Sequence, residues 1–145
     1  MNTDCLTILV VDDDIVDVEI VERGTKKRNL DHELMSMQDG RQALEFLRSD
    51  SLSEEQRERL AIVLDINMPC MNGHQFLEEL RNDPRPPRTV VFVLSTSDHV
   101  RDKSKAYDKN VAGYFTKPNI ESLLNTLELY AHYGEFPPWP APAKP

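Results

Sequence analysis

Short β-branched, apolar runs alternate five times with longer stretches whose apolar positions recur every three or four residues. Leu6–Val11, His32–Gln38, Leu60–Asp65, Thr89–Ser95 and Val111–Phe115 read as strands. The first, third and fourth are apolar almost throughout, as strands buried on both faces must be. The second is mixed and fits an edge. Helical patterns lie near 14–28, 40–49, 74–82, 98–108 and 119–133. Alternation of this kind with short connections predicts a parallel sheet wound in right-handed crossovers with helices on both faces, a doubly wound α/β domain.

Several local features refine the pattern. The last helix carries Ile120, Leu123, Leu124, Leu127 and Ala131 on one stripe, with Asn119 as a candidate N-cap. Ser53-Glu54-Glu55-Gln56 is a capping-box sequence that predicts an extra helical turn. Asp83-Pro84-Arg85-Pro86-Pro87 is a stiff loop. Five of the ten prolines fall from Pro137 onward, so 134–145 is expected to be a tail and 1–133 the domain. The first helix is apolar nearly all round, with Ile15, Val16, Val18, Ile20 and Val21. That surplus either docks on a partner or lies under loops.

The chain has 145 residues, enough for one domain, with 39% hydrophobic and 29% charged residues. Its net charge of -8 argues against nucleic acid, which is bound first through basic surfaces. Apolar runs such as Val90–Leu94 are far too short to span a membrane. Asp4 stands where a secretory leader would be basic and then apolar, so the expected location is the cytoplasm. Cys5 and Cys70 read as free thiols, and His32, His74, His99 and His132 lack metal-ligand spacing.

In a doubly wound sheet, ligands bind beyond the carboxyl ends of the strands. The first strand runs into Asp12-Asp13-Asp14, the third ends in Asp65, the fourth runs into Ser95-Thr96-Ser97, and Lys117 follows the fifth. Acids converging from neighbouring strands raise one another's pKa unless a cation neutralises them. Hard oxygen ligands with room for water and phosphate suit Mg²⁺ better than Zn²⁺. A carboxylate nucleophile with Mg²⁺, a hydroxyl and an ammonium is a set of parts for phosphoryl transfer. Taken singly, Asp13 or Asp14 could instead cap the first helix, and Asp65 could be a loop acid.

Ile8-Leu9-Val10-Val11-Asp12-Asp13-Asp14, Leu64-Asp65-Ile66-Asn67-Met68-Pro69-Cys70-Met71-Asn72-Gly73, Val93-Leu94-Ser95 and Tyr114-Phe115-Thr116-Lys117-Pro118 resemble a two-component response-regulator receiver domain from about Leu6 to His132. The resemblance implies a flavodoxin-like five-stranded parallel sheet of order 2-1-3-4-5. It makes Asp65 the phosphoacceptor, and Asp12, Asp13, Asp65 and the Asn67 carbonyl the Mg²⁺ ligands. Ser95 becomes the switch hydroxyl, Lys117 the phosphoryl contact and Tyr114 the rotating aromatic. It also implies docking of a sensor histidine kinase at the start of the first helix, at Asp14, Ile15 and Val16. Asn72 departs from the frequent Asp without chemical loss, and Asn67 and Ser97 occupy positions that tune dephosphorylation. Thr96 is bulkier than the usual residue there, which would slow small phosphodonors. Asp14-Ile15-Val16-Asp17-Val18, Asp39-Gly40 with Ala43-Leu44-Glu45-Phe46-Leu47-Arg48, and Leu94-Ser95-Thr96-Ser97 look most like regulators paired with phytochrome-type kinases.

With about a dozen residues outside the receiver pattern, the expected protein is a single-domain regulator and not an enzyme. Its output would run through the face made by the helix near 98–108, the fifth strand and the last helix. Leu129, Tyr130, Tyr133, Phe136 and Trp139 are candidate contacts in a homodimer formed through that face or the tail. Two other classes fit the acids less well. An aspartate-nucleophile, Mg²⁺-dependent phosphatase shares the Asp-x-Asp spacing, but would need its nucleophile on the first strand. The other is a receiver-like scaffold that is never phosphorylated.

Overall fold

A computed structural model describes residues 5–83 and 89–137. Five strands, β1 (Leu6–Val11), β2 (His32–Met37), β3 (Leu60–Leu64), β4 (Val90–Ser95) and β5 (Gly113–Thr116), form one sheet. All neighbours pair in parallel, in the order β2-β1-β3-β4-β5. Six helices connect and follow them: α1 (Ile15–Lys27), α2 (Gly40–Arg48), α3 (Glu54–Glu58), α4 (Gly73–Asn82), α5 (Val100–Asp108) and α6 (Ile120–Tyr133). The short α3 begins at the capping box, where Ser53 and Gln56 satisfy each other's backbone N–H groups.

The strand pattern divides the core in two. Leu9, Val11, Ile62, Leu64, Val91 and Val93 point to the side covered by α2, α4 and Ala106 of α5. Leu6, Ile8, Val10, Ala61, Val63, Phe92 and Leu94 point to the other, covered by α1 and α6. Alternate residues thus go to opposite faces, and both faces are apolar because both are covered. The mixed β2 sits at the edge, as its polarity requires.

Two details differ from the sequence reading. Asn119 precedes α6 but makes no capping hydrogen bond, because Lys117–Asn119 forms a 3₁₀ turn that leads into the helix. Tyr130 and Phe136, two of the candidate dimer contacts, are half-buried and pack partly inward. The Tyr130 ring meets Phe92 edge-on at 5.2 Å and Phe136 at 5.7 Å. Arg59 covers Phe136 at 5.2 Å, donates to the Ala131 carbonyl at 2.6 Å and so ties the end of α6 beneath the sheet. Leu129 and Tyr133 are exposed, whereas Trp139 and the proline loop 84–88 lie outside the described residues.

Across the opposite helix pair, Arg28 at the end of α1 reaches three side chains of α6. It donates to Asn125 at 2.7 Å, Glu128 at 3.0 Å and Glu121 at 2.7 Å. No helix among the described residues is long and apolar enough to cross a membrane.

Candidate functional site

From β1 the chain passes to the edge strand β2 and then returns to β3 on the other side of β1, so the strand order reverses between β1 and β3. The helices that follow these two strands go to opposite faces and leave a crevice at their carboxyl ends. Asp12 leaves β1 and Asp65 leaves β3 at this crevice, held in register by the Asp65 N–H on the Val11 carbonyl at 2.9 Å. Asp12, Asp13 and Asp65 each bring a carboxylate oxygen to within 4.8 Å of the others. Asp12 and Asp65 are buried, and Asp13 is exposed at the mouth.

Local hydrogen bonds set the two buried acids. The Asp14 N–H donates to Asp12 Oδ1 at 2.9 Å, and the Asn67 N–H to Asp65 Oδ1 at 3.2 Å. Asp14 itself caps α1 through the Val16 N–H, so the capping reading holds for that one acid of the triplet. Gly73 begins α4 directly against the loop that follows β3. Its N–H donates to the Ile66 carbonyl at 2.8 Å, and Asn72 with Gln75 closes a capping box around it.

Burial raises the Asp12 carboxyl to about 7, with the neighbouring Asp65 charge adding to the rise. Asp65 is raised as well, again chiefly by burial, against the pull of Lys117. Such a pocket is short of positive charge. Lys117 Nζ lies 3.6 Å from Asp12 and 3.7 Å from Asp65, and closer still to Asp17, at 2.5 Å. Burial would lower the Lys117 pKa, but the Asp17 hydrogen bond and the charges of Asp65 and Asp12 outweigh it and raise the group. One ammonium cannot balance this many carboxylates, so the donor set fits a divalent cation bound by oxygen.

Beyond the acids, Ser95 is fully buried at the end of β4, and the Ser97 N–H donates to its Oγ at 3.2 Å. Tyr114 packs its ring against the α2–α4–α5 core and donates its hydroxyl to the Ser97 carbonyl at 2.8 Å. Ser97 Oγ in turn donates to Asp102 at 2.5 Å, and His74 of α4 faces the same carboxylate at 3.1 Å. These hydrogen bonds hold the Asp102 carboxyl below its ordinary range, Ser97 foremost and His74 next. The β4–α5 loop is thereby fastened to two helices. Thr96 is exposed beside it, and Ile15, Val16 and Ile20 are exposed on α1.

The family description "Response regulator receiver domain" matches residues 8–128. The chain belongs to that family. Receivers are signalling phosphoacceptors, partnered by histidine kinases, and not enzymes acting on a separate substrate. This receiver is 33% identical to response regulator Rcp1 of Synechocystis sp. over 122 residues, 83% of each chain. A manganese-bound Rcp1 structure covers 94% of this receiver and 99% of its own chain, at a TM-score of 0.70 and 31% identity. The phosphorylated cyanobacterial phytochrome response regulator RcpA covers the same shares at a TM-score of 0.71 and 27% identity.

Sequence reasoning placed Asp12, Asp13, Asp65 and Lys117 in one pocket, and the structure brings them together. It missed Asp17, which reaches the pocket from the first turn of α1. It also missed Asp102 and His74, which anchor the β4–α5 loop.

Proposed function

We propose that Asp65 accepts a phosphoryl group from the phosphohistidine of a sensor histidine kinase. The observation carrying this reading is the buried Asp65 carboxylate in the crevice, grouped with Asp12 and Asp13 and 3.7 Å from the Lys117 ammonium. Asp12, Asp13, Asp65 and the Asn67 backbone carbonyl would hold Mg²⁺. When bound, that ion neutralises the pocket acids and the charge on the transferring oxygens. Asp65 Oδ forms the new bond to phosphorus as the phosphorus–nitrogen bond breaks, and the imidazole, already protonated on its other ring nitrogen, departs neutral with the bonding pair. Lys117 holds one phosphoryl oxygen and Ser95 Oγ another, with Asn67 and Ser97 at the positions that set water access.

Drawing Ser95 toward the phosphoryl group pulls on Ser97, to which Tyr114 and Asp102 are bonded. Tyr114 then moves into the space Ser95 vacates, and the face made by α5, β5 and α6 changes its contacts. Asp14, Ile15 and Val16 at the start of α1 receive the kinase, with exposed Ile15 and Val16 supplying apolar contact. The likeness to Rcp1 and to a phytochrome response regulator supports a phytochrome-type kinase, and with it a cytoplasmic setting.

Intact mass spectrometry after incubation with Mg²⁺ and acetyl phosphate tests the central step. One stoichiometric adduct is expected, absent in Asp65→Asn and in EDTA. Continued phosphate release without a stable adduct would instead indicate a phosphatase, and no adduct with any donor or kinase a scaffold. Thr96→Ala is expected to label faster with acetyl phosphate in the same assay, because it removes bulk beside the switch hydroxyl. An equal or slower rate would exclude Thr96 as a barrier.

We also place a homodimer on the α5–β5–α6 face, where Val100, Tyr107, Leu129 and Tyr133 leave apolar surface exposed. Sedimentation of a Leu129→Glu, Tyr133→Glu variant is expected to give monomer where the parent protein associates. An unchanged association state removes this face from the interface.

A further inference from the structure

Lys117 is held mainly by an acid that is not one of the grouped carboxylates. Its Nζ is 2.5 Å from Asp17 Oδ2, a charge-assisted hydrogen bond, while the 3.6 and 3.7 Å separations from Asp12 and Asp65 are ion pairs beyond hydrogen-bond reach. The pair is well shielded from water, with side-chain exposures of 20% for Lys117 and 16% for Asp17. Asp17 has no capping duty, since Asp14 supplies the cap of α1.

We infer that Asp17 is a positioning residue, the resting counter-ion that holds the Lys117 ammonium off Asp65 until a phosphoryl group arrives to take it. The inference rests on reading Asp65 as the phosphoacceptor. Lysine is a compact charge on a flexible stem, so its resting place is decided by the nearest acid. Without Asp17 the ammonium would settle between Asp12 and Asp65 and neutralise the oxygens that must bind the cation and attack phosphorus. With Asp17, the charge waits at the α1 side of the pocket. A phosphoryl dianion outbids a single carboxylate, and Lys117 then crosses to it. The crossing breaks a tie between the turn after β5 and the first turn of α1, beside exposed Ile15 and Val16.

Mg²⁺ titration of the unphosphorylated protein tests the assignment, together with NMR of the Lys117 side-chain amine. Asp17→Asn is expected to weaken Mg²⁺ binding by roughly three- to tenfold, the scale of a half-buried ion pair. The Lys117 resonance should shift, and Asp17→Glu should restore both properties. In a Lys117→Met background, adding Asp17→Asn should change the affinity less than about twofold, because the effect runs through the lysine. An equal loss in that background would overturn the inference and make Asp17 a direct attractor of the cation. Unchanged affinity with an unmoved Lys117 signal would overturn it also. Failure of the phosphoacceptor reading shows separately, as a missing adduct in the parent protein.

Discussion

In EDTA, the protein is expected to lose stability as pH rises from 5 to 8, and Mg²⁺ is expected to offset most of that loss. Burial holds the Asp12 carboxyl at about 7, whereas an unfolded aspartate titrates near 3.9. Between those values the native state binds more protons than the unfolded state, so stability falls with rising pH and levels off above the native pKa. Two pH units of this window lie above pH 5, which amounts to roughly 2–3 kcal/mol at about 1.4 kcal/mol per unit. Asp65, also raised, pushes in the same direction. Asp102 is shifted the opposite way, and its contribution is complete once pH exceeds the ordinary aspartate range, so it leaves the window unaltered. A divalent ion needs deprotonated ligands and adds about 2.7 kcal/mol at a hundred times its dissociation constant, most effectively at pH 8. Urea unfolding at the two pH values, with and without Mg²⁺, measures all four stabilities. A metal-free protein no less stable at pH 8 than at pH 5 would show that the acids are not buried together as described.

Gly73→Ala is expected to damage both the fold and the phosphorylation step. A Cβ at this position would lie 2.6 Å from the Asp65 carbonyl oxygen and 2.7 Å from Ile66 Cα. Both are backbone atoms, so no side chain can swing aside. Relief requires α4 to move away from the acceptor loop, which breaks the Gly73–Ile66 hydrogen bond and shifts Asp65 relative to Asp12. The expected cost is about 2–3 kcal/mol, as for other overpacked interiors. Leu80→Ala is the control: it removes a fully buried side chain at the far end of the same helix and costs about 2–5 kcal/mol by opening a cavity. Phosphorylation rates per folded molecule separate the two. The rate should fall at least tenfold in Gly73→Ala, on the scale of a misplaced reacting group, and stay near the parent value in Leu80→Ala. Equal rates would mean that the acceptor loop tolerates the displacement.

The architecture was legible because its signals are local. Runs such as Leu60-Ala61-Ile62-Val63-Leu64 can be apolar on both faces only if both are covered, and the capping box at Ser53 satisfies its own backbone. The grouping of Asp12, Asp13 and Asp65 was legible too, since parallel strands deliver their ends to one edge. Asp17 was not, because its partner is a hundred residues away and its place in the first turn of α1 reads as an ordinary dipole-favoured acid. The inward packing of Tyr130 was less legible, although Leu123, Leu127 and Tyr130 follow helical spacing. The aromatic residues around it suggested an outer surface, when Phe92 and Phe136 enclose it. Phe136 looked like part of a proline tail, and its contacts with Tyr130 and with Arg59, far away in the chain, leave no local signal.

The Arg28 clamp constrains how any message crosses this molecule. One guanidinium joins the last turn of α1 to successive turns of α6, so those two helices are fastened along the same face of the sheet. Amide hydrogens near Arg28 and near Asn125 should therefore exchange with solvent as one cooperative unit. On the opposite rim, Ser97, Asp102 and His74 form a separate hydrogen-bonded set that the Arg28 clamp does not reach.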